Sequence, residues 1–259
     1  LVGSEMCIRD RLENDCMRNT VSTYIRRLRC IYNKAVENGD AEYIPGLFQG
    51  VFTGVESKRK KSLSLENQHK LMTVKVESEV LRETQLVVCL LFQYAGMSFV
   101  DFAHLKERNI KNGILDYNRQ KTGTPMRLEI LDTAELMRKE LMGDKKPASG
   151  YLFPFLSGTK TGYEAYLEYN AALSRFNRNL KALKKAAGIA SDVTSYTIRH
   201  SFAMALKEQN VPIEMISELL GHKSIKTTQI YLRSFSLEKM TEVNSTCFGC
   251  VYNYVSKVG

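Results

Sequence analysis

A short stretch of alternating residues interrupts a chain that is otherwise patterned for helices, and this contrast limits the folds it can adopt. Residues 114–119 and 126–130 are typical of two strands, and residues 120–125 form a turn between them. Elsewhere apolar residues recur at helical spacing. We therefore expect a mainly α fold with a small antiparallel β-hairpin or sheet, an α+β arrangement. The predicted helices cover residues 18–37, 65–74, 79–95, 99–106, 132–142, 163–187, 196–210, 213–220, 227–232 and 237–243.

Changes in pattern divide the 259 residues into five segments. Residues 1–12 fit no periodic pattern and are interpreted as a non-native or disordered leader. Residues 13–56 hold one amphipathic helix with a basic flank, too little sequence for an independent domain. Residues 57–63 form a basic linker and residues 64–235 the main domain. Residues 236–259 form an apolar and aromatic tail that packs either on its own domain or on a neighbouring protomer.

The net charge of +9 and the isoelectric point near 9.2 favour a polyanionic partner, with nucleic acid first. The alternative is a protein that is merely basic. Two groups of cations are interpreted as contacts to DNA phosphates, against the alternative of solvated charge. One group is the linker run Lys58, Arg59, Lys60 and Lys61, and the other is Arg175, Arg178 and Lys181 on the predicted helix 163–187.

The six cysteines are scattered, a distribution that fits free thiols in a reducing cytoplasm. Cys247 and Cys250 form an isolated CxxC, and a zinc site needs two further ligands, so we expect no metal. We find no apolar run near the roughly 18–20 residues of a membrane span, so no membrane contact is expected.

Residue types that suit phosphoryl transfer cluster in the C-terminal half. Arg199 and His200 fall on the first turn of a predicted helix, His222 follows Gly221 at a helix end, and Tyr231 lies nine residues later. An arginine clamps two phosphate oxygens, and a histidine donates to the charge that develops. Each residue alone is more often structural, but the combination indicates chemistry on one phosphate.

Together, the runs RHSFA (199–203), LLGH (219–222) and TTxxYL (227–232) resemble the C-terminal signature of the tyrosine recombinase, or phage integrase, family of mobile elements. The resemblance covers roughly residues 62–235 and implies a catalytic domain with Tyr231 as nucleophile. More weakly, residues 18–37 resemble the end of the helical SAM-like core-binding domain that precedes it. Residues 13–56 are therefore expected to be a truncated, C-terminal fragment of that domain.

The resemblance also implies partners and a location. Double-stranded DNA is the expected substrate, and neither a cofactor nor a metal is expected. The chain would act as a homotetramer in the synapsis and be a monomer or weak oligomer when free. An accessory DNA-bending protein is a further expected partner, and the expected location is the bacterial cytoplasm, on the nucleoid.

Individual roles carry over to matching positions. Lys121, in the turn of the predicted hairpin, matches the general acid that protonates the leaving 5′-oxygen. Arg199 and His222 match the residues that hold the phosphate. Tyr196 stands where the family expects a histidine, and a phenol, with an ordinary pKa of about 10, is a poor base at neutral pH. Either His200 or His222 shares that role, or the base is dispensable.

The family's first catalytic arginine is missing. The two positions at which this arginine is expected hold Ala95 and Ser98, although Asp101 fits the acidic position that follows. Losing one charged contact of this kind costs about 3–4 kcal/mol, or about 10²–10³ in rate. Three arginines remain as candidate substitutes that the sequence does not place: Arg108, Arg119 and Arg127.

Three other functions remain open. Residues 213–231 also fit a helix-turn-helix of a non-enzymatic DNA-binding protein, although such a protein needs neither Lys121 in a hairpin nor the His–Tyr spacing. A catalytically impaired relative that binds DNA without cutting it is the second. A type IB topoisomerase is the third, and the runs GMSFVD (96–101) and TTxxYL favour an integrase over it.

Overall fold

The computed structural model describes residues 16–54, 62–145, 147, 150–232, 240–241 and 243–246. The predicted leader, the run Lys58–Lys61 and most of the tail lie outside these residues. The chain divides into two compact units, Leu1–Arg59 and Lys60–Gly259.

In the first unit, helix α1 (Arg18–Glu37) has the predicted bounds. Val21 and Ile25 on the predicted apolar stripe are buried, but Ile31, further along it, is 66% exposed. The Ser22 hydroxyl ties the helix to the following loop by donating to the Gly54 carbonyl over 2.6 Å. The helix is thus confirmed, while Tyr24, Leu28 and Ile31 on its apolar side are exposed in the described structure.

The second unit is mainly helical with a small sheet, as predicted. Its core surrounds α3, whose residues Leu86–Leu91 are buried and which packs against α5, α6 and α7. Aromatic rings complete the core, with Phe102 stacked on Phe153 at 4.1 Å and Phe99 on Phe176 at 4.7 Å between ring centroids. The helices are α2 (Leu65–Thr73), α3 (Glu79–Gln93), α4 (Phe99–Ala103), α5 (Asp132–Met142), α6 (Gly162–Ala186), α7 (Ser195–Glu208), α8 (Ile213–Leu219) and α9 (Ile225–Tyr231).

The antiparallel sheet has three strands in the order β1 (Ile110–Lys111), β2 (Ile114–Asn118) and β3 (Pro125–Glu129). The predicted hairpin is β2–β3, with Pro125 in the strand instead of the turn. Strand β1 was not predicted, because a strand of two residues is too short to show alternation. The Asn-Gly pair before β2 is the sequence signal that indicates a hairpin here. Asn112 and Gly113 both have positive φ, as a two-residue hairpin turn requires.

Helices α7 to α9 follow α6 in this unit. Thr194 caps α7 by accepting a hydrogen bond from the Thr197 amide. Helices α8 and α9 pack against each other across the turn that contains Gly221. None of the helices in the described residues is long and apolar enough to cross a membrane.

We expect Phe102→Ala to lower the free energy of unfolding by about 3–5 kcal/mol, because a fully buried ring that stacks on Phe153 is replaced by a cavity. Urea unfolding followed by circular dichroism measures the change. Tyr166→Ala is the control, since Tyr166 is 60% exposed, and should change stability by no more than about 0.5 kcal/mol. Equal losses in the two variants would contradict this assignment of the core.

Candidate active site

Arg199 joins two turns of the second unit. It lies on the first turns of α7 and is only 3% exposed. Its Nη1 donates to the Gly96 carbonyl over 2.8 Å, and its Nη2 donates to the Leu220 carbonyl. Because a buried guanidinium needs acceptors, these two carbonyls fix the group between the turn after α3 and the turn after α8.

His222 lies beside this arginine. Its Nε2 is 3.4 Å from Arg199 Nη2, and its Nδ1 is 2.8 Å from Thr228 Oγ1. The ring is partly exposed, whereas Thr228 is fully buried on α9. The predicted pair Arg199 and His222 is therefore in direct contact, with α9 on the other side of the imidazole.

Arg119 is a second buried arginine beside this pair, and we call Arg199, His222, Arg119 and Asp101 the cluster. Arg119 follows β2, is 8% exposed, and its Nη1 donates to the Gly221 carbonyl over 2.9 Å. Its Nε lies 3.6 Å from Asp101 Oδ2. This contact is an ion pair, and Asp101, 2% exposed, accepts hydrogen bonds from the Ser98 hydroxyl at 2.6 Å and the Gln120 backbone amide at 2.7 Å. Arg119 and Arg199 thus hold consecutive carbonyls of the turn that leads to His222.

The close approach of Arg119 requires a glycine at position 221. Gly221 has a φ of +60°, and a Cβ there would lie 2.4 Å from Met126 Sδ and 2.7 Å from Arg119 Cδ. Both the backbone conformation and the space therefore exclude a side chain. The glycine lets the turn before His222 lie directly against the hairpin.

Ala95 and Ser98, at the two positions expected for the first catalytic arginine, have different environments. Ala95 is buried, and the Ser98 hydroxyl caps α4 and donates to Asp101. Of the three substitutes considered from the sequence, Arg108 and Arg127 are exposed, and Arg119 lies in the cluster. The alternation of buried and exposed residues along β2 could have identified Arg119 from the sequence.

Alternation places Arg119 on the inner side of the sheet. In β2 the side chains of Leu115 and Tyr117 are buried, and Arg119 continues that series. Burial raises the pKa of the Tyr117 phenol well above its usual range, Asp101 raises it further, and the two arginines oppose the shift. Tyr117 is therefore a neutral neighbour of the cluster.

Lys121 lies in the ordered loop between β2 and β3. The loop closes through the Arg119 amide, which donates to the Thr124 carbonyl over 2.9 Å, and the Gly123 amide, which donates back to the Arg119 carbonyl over 2.8 Å. The Lys121 side chain is exposed. Its neighbour Gln120 is anchored to Asp101, so the loop is attached to the cluster one residue before the lysine.

The remaining predicted residues lie around the cluster. Tyr196 is 49% exposed, and its ring meets the His200 ring edge-on at 4.6 Å between centroids. His200 itself is 2% exposed, so solvent scarcely reaches it. The backbone of Tyr231 ends α9, and its side chain lies outside the described part of the chain.

The predicted DNA contacts on α6 are exposed. Its inner face buries Phe176, Leu180 and Leu183, and the cations point away from that face: Arg175, Arg178 and Lys181 are all exposed. Lys58, Arg59, Lys60 and Lys61 lie outside the described residues, as do Cys247 and Cys250. In the part of the chain that is described, no group of three or more histidine, cysteine or acidic side chains could hold a metal ion.

Comparison with curated proteins finds Xer tyrosine recombinases among the relatives of this chain. The tyrosine recombinase XerA of Pyrococcus furiosus is 32% identical over 177 residues, which are 67% of this chain and 57% of that protein. XerD of Lacticaseibacillus casei is 52% identical over 54 residues, 21% of this chain and 18% of that protein. The chain thus matches less than two thirds of the length of these relatives.

Solved structures show the same fold. A lambda integrase dimer bound to a COC′ core site matches with a TM-score of 0.66 and 15% identity, over 91% of this chain and 67% of that one. The Tn1549 transposon integrase in complex with a circular intermediate DNA matches with a TM-score of 0.66 and 15% identity, over 92% and 82%. The model of the phage integrase family matches residues 61–238. Since that match spans more than half of the 259 residues, the chain belongs to the phage integrase family, the tyrosine recombinases.

Proposed function

We propose that the chain is a site-specific DNA recombinase that cuts and rejoins DNA through a 3′-phosphotyrosyl intermediate at Tyr231. The observation that carries the proposal is the pair of buried guanidinium groups, Arg199 and Arg119, on the two carbonyls that precede His222. Preorganised cations in a site that excludes water are what a phosphoryl-transfer transition state requires.

In the cleavage step, the phenolic oxygen of Tyr231 bonds to the scissile phosphorus while the bond from phosphorus to the 5′-oxygen breaks. Lys121 gives a proton to the departing oxygen, and the phenolic proton passes to a histidine or to water. His222 suits that role better than His200, because His200 is buried. A 5′-hydroxyl of the partner duplex then reverses the step. The covalent link conserves the energy of the phosphodiester, so no external energy source is required.

Arg119 takes the role of the missing first arginine in this proposal. Its contacts to described residues use Nε and Nη1, which leaves the two N–H groups of Nη2 for a phosphate oxygen. The charge needed at the phosphate would then come from the end of a strand instead of from the turn after α3. This answers the main argument for a catalytically impaired relative, which rests on Ala95 and Ser98.

The substrate and the assembly follow from the same proposal. Double-stranded DNA would be held by the exposed cations of α6 and by the run Lys58–Lys61. A lambda integrase tetramer bound to a Holliday junction is among the similar structures, with a TM-score of 0.66 and 17% identity. That assembly supports a homotetramer of this chain on DNA, for which an accessory DNA-bending protein remains a proposed partner.

Incubation with a nicked suicide duplex from the end of the mobile element should trap a covalent protein–DNA adduct of reduced mobility in a denaturing gel. Tyr231→Phe should bind the same duplex and form no adduct, because it lacks the attacking oxygen. Binding by the unaltered chain with no adduct at any concentration would leave only the DNA-binding role.

Arg119→Lys keeps the positive charge beside Asp101 but loses the planar fork, so it should fold and yet form the adduct about 10²-fold more slowly. Arg127→Ala is the matched control, since Arg127 lies on the neighbouring strand and is exposed. It should retain activity within a few-fold. Adduct formation by Arg119→Lys at the unaltered rate would remove Arg119 from the proposed mechanism.

Gly221→Ala should abolish adduct formation, because the new methyl group displaces Arg119 and Met126 from the turn. Gly188→Ala is matched for backbone strain, since Gly188 has a φ of +66° but no atom within 4 Å of a built Cβ. It should cost about 1 kcal/mol of stability and leave the rate unchanged. If both variants cut equally well, close packing at Gly221 does not serve the site.

A further inference from the structure

Thr228 is a buried polar residue to which the proposed chemistry assigns no role. It lies on α9 three residues before Tyr231 and is 0% exposed. Its Oγ1 is 2.8 Å from His222 Nδ1. The preceding residue, Thr227, has the same side chain and is exposed. The buried hydroxyl thus lies directly against the imidazole, whereas the neighbouring hydroxyl does not, so the two threonines form a matched pair for comparison.

The neighbours of His222 determine which ring nitrogen carries the proton in the neutral form. Arg199 Nη2 lies 3.4 Å from Nε2, and a guanidinium can only donate hydrogen bonds. Nε2 is therefore the acceptor, which leaves the proton on Nδ1. The Nδ1–H group then donates to Thr228 Oγ1, which has lone pairs to accept it.

We propose that Thr228 is a positioning residue that sets the orientation and the neutral tautomer of His222. It would hold the Nδ1–H group on the α9 side and so present Nε2 on the side of Arg199. When a phosphate oxygen replaces Nε2 as the acceptor for Arg199, Nε2 is free to take up a proton and, once protonated, to donate to that oxygen. The role in catalysis rests on the proposed function, whereas the tautomer rests on the geometry alone.

The position of Thr228 also links two catalytic groups. Because Thr228 and Tyr231 share α9, the helix that carries the nucleophile is the one that orients His222. The Leu232 amide donates to the Thr228 carbonyl over 3.1 Å, so the backbone at Thr228 is held by the end of that helix. Displacement of α9 would remove the partner of Nδ1 together with the nucleophile.

The first test determines the tautomer of His222 by nitrogen NMR, on protein labelled at its four histidines. The signals of His222 are assigned by their loss in His222→Gln. We expect the Nδ1–H form in the unaltered chain and in Thr228→Ser, which keeps the hydroxyl. Thr228→Val should lose that preference, while Thr227→Val should not. An Nε2–H form in the unaltered chain would overturn the inference, whether or not the protein cuts DNA.

The second test is the rate of adduct formation with the suicide duplex at saturating DNA. Thr228→Val should be about 10–100-fold slower, the loss seen when the hydrogen-bond partner that orients a metal-bound histidine is removed. Thr228→Ser should restore most of the rate, and Thr227→Val, the matched control, should be unaffected. If Thr228→Val cuts at the unaltered rate, or Thr227→Val is slowed equally, the positioning role is wrong. No adduct in any variant, with the tautomer as expected, would refute the proposed function and leave the geometric part standing.

Discussion

Two buried arginines hold the backbone of one turn, and the rest of the candidate site depends on this arrangement. Arg199 binds the carbonyl of Leu220, and Arg119 binds the next one, of Gly221. A buried guanidinium is costly unless acceptors satisfy it, so each arginine is fixed by the turn. The turn is fixed by the arginines in return. Arg199 also binds the carbonyl of Gly96, which brings the end of α3 into the same cluster.

The carboxylate of Asp101 extends this arrangement to the hairpin. It lies beside Arg119 and accepts from the amide of Gln120, the residue before Lys121. Arg119, directly after β2, and the loop that carries the proposed general acid are therefore anchored at one buried anion. Ser98, which donates to the same carboxylate, fits this environment as a small neutral group beside an existing ion pair.

Much of the architecture was predictable because it follows from local periodicity. The bounds of α1 and α5 are those predicted from the sequence, and β2–β3 is the predicted hairpin. Strand β1 was missed because its two residues show no alternation, although Asn112-Gly113 is a hairpin signal. The buried side of Arg119 was also readable in principle, since it continues the alternation of Leu115 and Tyr117. The periodicity within a segment does not show which distant residue a side chain contacts across the core.

The sequence by itself determined the family, the helical fold with its small sheet, and the candidate residues Arg199, His222 and Tyr231. These rest on spacings within short segments, which the order of residues alone specifies. Only the tertiary structure decided which arginine stands beside Arg199, since Arg119 meets Gly221 across a separation of 102 residues. It also decided that Thr228, and not Thr227, faces His222. Such contacts depend on how helices and the hairpin pack around a common turn, and local spacing carries no information about that packing.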